Sequence, residues 1–156
     1  MRQTRSTFRS LGEWCRVGLR WVAAGVFVFA GVRHFTHPVP FRQIVPPALP
    51  SPALLVAVSG AFEIAGGLGL LIRPLRRAAG WGLVVLLVAV FPANVYMAMR
   101  PDREPGSHFP AWVLWARLPL QAVLIIWVGW AAGLGRAATR SRGRATRTPL
   151  EVSGRG

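Results

Sequence analysis

The sequence predicts an all-α membrane protein, a bundle of four transmembrane helices, from three observations: four apolar segments of membrane length, an apolar composition and an uneven distribution of arginine. Of the residues 53% are hydrophobic and the mean hydropathy is +0.41, yet the formal net charge is +14. A chain of 156 residues has room for one domain of a few spans. The basic charge flanks apolar segments and has no interleaved aromatic platform, so no nucleic-acid partner is expected.

Each of the four apolar segments is long enough to cross a hydrocarbon layer of about 30 Å as a helix. Their expected bounds are about 14–34, 53–72, 78–99 and 111–134. Together they make up a membrane domain over residues 14–135, preceded by a basic segment, residues 1–13. The basic and polar tail, residues 136–156, holds few large apolar side chains and is expected to be disordered.

Arginine is unequally divided between the two sides of such a bundle. One side holds thirteen arginines, which lie in the N-terminal region up to Arg16, in the link between spans two and three and in the tail. The opposite side holds four, which are Arg33, Arg42, Arg100 and Arg103. The positive-inside rule therefore predicts that both termini are cytoplasmic.

The short outer connection between spans one and two is rich in proline and still apolar. A long helix through it is excluded by six prolines, which are Pro38, Pro40, Pro46, Pro47, Pro50 and Pro52. The spacing of Phe41, Ile44 and Val45 predicts one short helical turn on the membrane surface. That turn would either cap the bundle or cover a cavity beneath it, since loops on rigid scaffolds often carry binding sites.

Glu63 lies near the centre of the second span, about 15 Å from its outer end. A carboxylate at that depth is costly in lipid and is expected to face protein, water or a counter-ion. Five more polar residues fall in the outer half of the predicted bundle, and they are His34, Asn94, Tyr96, Arg117 and Gln121. This distribution predicts a polar pocket that binds a ligand or exchanges protons with it.

We expect Glu63 to pair with Arg117, because each charge would be untenable alone in hydrocarbon. Asn94 and Gln121 would add hydrogen bonds to this pair, and the glycines beside Glu63 would let another helix approach it closely. Removing either charge is then expected to strand the other.

Two prolines interrupt the later spans. Pro92 frees the backbone carbonyl of Val88, and Pro119 frees that of Trp115, which is tolerated where neighbouring groups satisfy the carbonyls. A second interpretation of the polar residues is that they only hold the helices together, as interhelical hydrogen bonds commonly do.

The sequence predicts no metal site and no intrinsic cofactor. His34 and His37 are three residues apart, but Pro38 follows directly and no acidic or cysteine ligand is near. The single cysteine, Cys15, excludes an intramolecular disulfide and a Cys-x-x-Cys redox pair.

Four blocks of the sequence carry a family resemblance. GVRHF from Gly31, FRQIVP from Phe41, SGAFEIAGGLGLL from Ser59 and FPANVYMA from Phe91 together resemble the DoxX and DoxX-like family of small bacterial and archaeal membrane proteins. The similarity covers about residues 17–134 and implies a four-helix bundle in the bacterial cytoplasmic (inner) membrane. The positions that match the family pattern are His34, Phe35, Pro46, Gly60, Glu63, Gly67, Pro92 and Asn94.

Some members of that family are associated with membrane redox systems, including a subunit of a thiosulfate:quinone oxidoreductase, and others with oxidative-stress complexes. The resemblance therefore implies an accessory or subunit of a redox system, which binds a quinone-like or other amphipathic molecule in the polar pocket and has a membrane or peripheral oxidoreductase as partner. The resemblance identifies no catalytic residues in this chain. The alternatives are a small transporter, a lipid- or metabolite-binding module, or a non-catalytic assembly scaffold, and glycine-rich faces leave a homo-oligomer open.

Overall fold

The structure of the protein is a computed structural model, and it describes residues 3–100 and 110–136. Within these ranges the chain forms helices and no strands. Predictions about the polar tail beyond residue 136 lie outside the described residues.

Four helices are long and apolar enough to cross a membrane. They are α1 (Gln3–Thr36), α3 (Pro52–Leu71), α4 (Arg76–Met99) and α5 (Ala111–Ala132). A short helix, α2 (Pro38–Gln43), follows α1; it includes Phe41 of the predicted turn and ends before Ile44 and Val45. The all-α fold with four membrane-length helices is thereby confirmed, and the sequence indicates a multi-pass membrane protein.

The helix ends agree with the residues found there. The apolar span of α1 is Gly12–Thr36. The helix itself begins earlier, at Gln3, so most of the basic N-terminal segment is helical as well. Pro52 opens α3, because a proline in the first turn has no backbone N–H that would need an acceptor. Gly133 ends α5 with a φ of 77°, a left-handed conformation that favours glycine.

The long helices form an antiparallel ring in which α1 packs on α3, α3 on α4, α4 on α5, and α5 returns to α1. One end of this bundle holds the start of α1, the end of α3, the start of α4 and the end of α5; we call it the arginine end. The other carries α2, and we call it the α2 end. The orientation of these ends in a membrane stays a prediction.

Fully buried apolar side chains hold the helices together, and the largest are Leu70, Leu83, Leu114 and Val128. Many large apolar side chains point outward instead, such as Trp112 and Ile126, which are 70% and 71% exposed. An apolar exterior of this kind suits helices surrounded by lipid, whose packing depends on close contact.

Candidate functional site

Two glycines bring α1 and α3 into close contact near the α2 end. A Cβ on Gly31 would lie 2.5 Å from the carbonyl oxygen of Gly60 and 3.1 Å from the Cβ of Glu63. A Cβ on Gly60 would lie 2.7 Å from the Cβ of His34. Because neither side chain exists, the two backbones approach closely and His34 and Glu63 share one interface.

His34 of α1 and Glu63 of α3 form what we call the α1–α3 pair. The His34 Nδ1 lies 3.4 Å from the Glu63 Oε2, and the two side chains are 11% and 13% exposed. Helical side chains lean toward the N-terminus of their own helix. Since α1 and α3 are antiparallel, His34 and Glu63 lean toward each other from different levels of the bundle.

The backbone indicates where the His34 ring holds its proton. Nδ1 lies 2.9 Å from the carbonyl oxygen of Ala30, one turn earlier in α1. A carbonyl oxygen only accepts, so Nδ1 is the donor in this contact and Nε2 is the other ring nitrogen. The Glu63 Oε2 is buried and accepts no hydrogen bond from any described residue. The pair therefore places an imidazole beside a carboxylate oxygen that no described residue satisfies.

The short helix α2 covers the imidazole of His34. The Phe41 ring stacks on it with ring centroids 4.0 Å apart and planes inclined by 26°. The sequence placed Phe41 in a surface turn but did not predict its contact with His34. Its helical spacing was the available signal, and the partner depends on how α2 folds back onto α1.

A second polar group, the α4–α5 network, consists of Asn94, Gln121 and the backbone carbonyl of Leu87. Asn94 Nδ2 donates to Gln121 Oε1 at 2.9 Å, and Gln121 Nε2 donates to the carbonyl oxygen of Leu87. Gln121 is only 4% exposed, so these bonds satisfy an amide that is out of reach of most solvent.

The Leu87 carbonyl of the α4–α5 network lies about one turn before Pro92, which stands inside the continuous helix α4. Pro92 has no N–H to donate to the carbonyl of Val88, and Leu87 directly precedes Val88 in the sequence. The sequence predicted a freed carbonyl at this proline, whereas the Gln121 bond goes to the neighbouring Leu87. A side-chain amide from α5 thus binds the α4 backbone at the residue next to the carbonyl that Pro92 leaves without its helical donor.

The expected ion pair between Glu63 and Arg117 is wrong. Arg117 Nη1 instead donates to the Met97 sulfur at 3.1 Å, and Glu63 lies beside His34. The reason is the order of the helices, since α3 and α5 each pack on α1 and α4 and face each other only across the bundle. A carboxylate on the α1 side of α3 does not reach a guanidinium on the α4 side of α5.

The remaining candidate, Tyr96, lies near the end of α4. The guanidinium carbon of Arg100 is 5.8 Å from the centre of its ring, a cation–π contact. Within residues 3–100 and 110–136 no group of three His, Cys, Asp or Glu side chains could hold a metal ion.

A family model described as a domain of unknown function, DUF8561, matches residues 23–132. The chain belongs to the DUF8561 family. No curated protein and no solved structure matches it. Membership in DUF8561 gives neither a ligand nor a reaction, and the DoxX resemblance with the redox association it implies stays a prediction.

Proposed function

We propose that this DUF8561 protein binds a quinone-like or similar amphipathic molecule at the α1–α3 pair and serves as an accessory subunit of a membrane redox system. The observation that carries the proposal is the His34–Glu63 contact inside two membrane-length helices, with a buried carboxylate oxygen that no described residue hydrogen-bonds. Ionisable side chains at such depth usually mark ligand sites or proton pathways.

The chemistry of the pair suits a ligand with carbonyl or hydroxyl oxygens. The Nε2 of His34 donates a hydrogen bond when protonated and accepts one when neutral. Glu63 offers its Oε2 to a ligand hydroxyl when ionised, and it donates to a ligand carbonyl when protonated. Both residues can therefore exchange a proton with a quinone oxygen while the apolar helices hold its tail. The electrons come from a partner oxidoreductase, and no electron-transfer step belongs to this chain.

The predicted orientation supports the proposal. The unequal distribution of arginine predicts that the α2 end faces outward. The α1–α3 pair would then lie in the outer half of the membrane, below α2. Phe41 stacks on His34 from that side and gives the site an aromatic cover. The DoxX resemblance supports the redox assignment, since His34 and Glu63 are both positions that match that family's pattern.

Quinone binding can be measured by quenching of tryptophan fluorescence in the purified protein, which has seven tryptophans. Decylubiquinone and a menaquinone analogue are the probes. We expect Glu63→Gln and His34→Gln each to weaken binding about tenfold or more, since a hydrogen bond to a charged group contributes about 1.5–3 kcal/mol. The matched controls are Glu13→Gln and His37→Gln, which make the same chemical changes at exposed residues. Both control variants should bind quinone like the wild type.

Three results would contradict the proposal. The wild type would respond to neither quinone, the site variants would bind as tightly as the wild type, or the control variants would lose binding as strongly as the site variants. Substrate flux in proteoliposomes that depends on Glu63, without quinone binding, would favour the transporter alternative, since proton-linked carriers also bury acidic groups. Loss of stability alone in both site variants would favour the scaffold.

A further inference from the structure

Three arginines at the arginine end donate hydrogen bonds to carbonyl groups in the last turns of two helices. Arg16 of α1 bonds the carbonyl oxygen of Trp130 through Nε at 3.1 Å and Nη2 at 2.7 Å. Arg20 bonds that of Ala131 through Nε at 3.1 Å, and Arg76 of α4 bonds that of Leu70 through Nε at 3.1 Å. All three carbonyls lie in the last turn of a helix, where few backbone donors remain, and that of Trp130 also accepts from the N–H of Gly133; the arginines therefore cap α5 and α3.

The three guanidinium groups lie at the same end of the bundle, on the last turns of α5 and α3. Arg16 and Arg20 bond carbonyls of consecutive residues, and the charges of Arg76 and Arg16 both repel that of Arg20. The arginine end therefore gathers three positive charges from α1 and α4 where four helix ends meet. Within the part of the chain that the structure describes, neither Arg20 nor Arg76 forms an ion pair.

The hydrogen bonds of Arg20 and Arg76 leave one edge of each guanidinium available. Both residues donate to the carbonyl through Nε. Their two terminal nitrogens form no hydrogen bond with any described residue. That edge is the planar fork that binds two oxygens of a phosphate at once. Both side chains are half-buried, which holds the fork in place and raises the benefit of a neutralising anion.

The surroundings match the headgroup level of a bilayer. The Arg16 guanidinium carbon lies 4.9 Å from the centre of the Trp130 ring, and tryptophan is enriched at the membrane–water interface. Basic pockets between transmembrane helices are known to bind acidic lipid headgroups. We propose that Arg20 and Arg76 bind the phosphodiester of an acidic phospholipid, which lies across the ends of α3, α4 and α5 in the adjacent leaflet.

Native mass spectrometry of the full chain, released from nanodiscs that contain phosphatidylglycerol and phosphatidylcholine, counts the retained acidic lipid. We expect Arg20→Gln with Arg76→Gln to weaken retention about 25-fold, or about fivefold for each arginine removed. The matched control is Arg33→Gln with Arg42→Gln, which removes two exposed arginines from the α2 end and should retain the lipid like the wild type.

A second variant keeps the proposal testable if the loss of two caps prevents folding. Arg20→Lys with Arg76→Lys keeps both charges and a donor for each carbonyl but loses the planar fork. We expect it to fold in phosphatidylcholine and to retain phosphatidylglycerol several-fold more weakly than the wild type.

The proposal is overturned if the lysine variant retains the lipid fully, because charge alone would then explain the attraction. It is also overturned if both glutamine variants lose retention equally. Glycerol phosphate that displaces the lipid at equal concentration would assign the site to a soluble phosphate instead. None of these measurements involves His34 or Glu63, so the proposal stands or falls independently of the proposed function.

Discussion

The α1–α3 pair and the α4–α5 network are both polar contacts within membrane-length helices, and they differ in how completely their groups are satisfied. In the α4–α5 network, the Gln121 amide donates to a backbone carbonyl and accepts from Asn94. In the α1–α3 pair, a buried oxygen of Glu63 accepts no hydrogen bond from the described residues. The first group is neutral and internally bonded, and the second is ionisable and incomplete.

This difference assigns distinct roles to the two halves of the bundle. A satisfied amide network stabilises the helices that it joins and has little left to offer a ligand. A buried carboxylate with an open oxygen costs free energy until something binds it. We therefore expect changes in the α4–α5 network to affect stability alone, and changes in the α1–α3 pair to affect ligand binding as well.

The largest effect is expected for Gly31→Ala. The new Cβ would lie 2.5 Å from the Gly60 carbonyl oxygen, and because that atom is backbone, α1 and α3 must separate. Overpacking of this kind costs about 1–3 kcal/mol in the free energy of unfolding. Unfolding in a detergent titration would measure it, and quinone binding should fall with it.

Gly25→Ala is the matched control for that prediction. A Cβ on Gly25 meets no atom within 4 Å, so the variant should be as stable as the wild type or more stable by up to about 1 kcal/mol. Equal stability of the two alanine variants would contradict the close approach of α1 and α3.

A smaller effect is expected for Gln121→Leu, which removes the donor to the Leu87 carbonyl and the acceptor for Asn94. The expected loss is about 1–2 kcal/mol of unfolding free energy, since buried groups lose their partners. Quinone affinity should not change. Gln43→Leu is the control at an exposed position of α2. If Gln121→Leu removed quinone binding without loss of stability, the division between the two halves would fail.

A coupling of about 1 kcal/mol is expected between His34 and Glu63 in a double-mutant cycle of His34→Gln and Glu63→Gln, because the side chains are in contact. The cycle of Glu63→Gln and Arg117→Gln should instead be additive within about 0.5 kcal/mol, because Arg117 bonds Met97. Unfolding free energies of all variants in detergent decide both cycles, and coupling in the second would restore the ion pair that the sequence suggested.

The sequence predicts the helices well and their partners poorly. Each apolar run has membrane length by itself, so the four helices follow from local composition, and Pro52 and Gly133 mark two of their ends. The depth of Glu63 also follows, because it depends only on its position along α3. Its partner does not follow, because contact between two faces depends on which helices are neighbours.

The glycines near Glu63 were the best available signal for the helix that packs against it. The glycines beside Glu63 predicted the close approach of another helix, and Gly31 on α1 fills that role. Charge complementarity favoured Arg117, but the opposite charge lies on a helix across the bundle. The Gln121 bond to Leu87 was not predicted, because the sequence pointed to the Val88 carbonyl. The expectation that Asn94 and Gln121 bond Glu63 and Arg117 is wrong, since these two amides bond each other.

The smallest effect is expected for Phe41→Leu, which tests the cover that α2 places on the pair. Leucine keeps apolar volume but loses the ring that stacks on His34, and we expect a loss of about 0.5 kcal/mol in unfolding free energy. The ¹⁵N chemical shifts of the His34 imidazole should change in the same variant, because its neighbour changes. Phe29→Leu, at a position of α1 that is 68% exposed, should change neither quantity. If the two leucine variants behaved alike, α2 would not contact His34, and the site would be open on its α2 side.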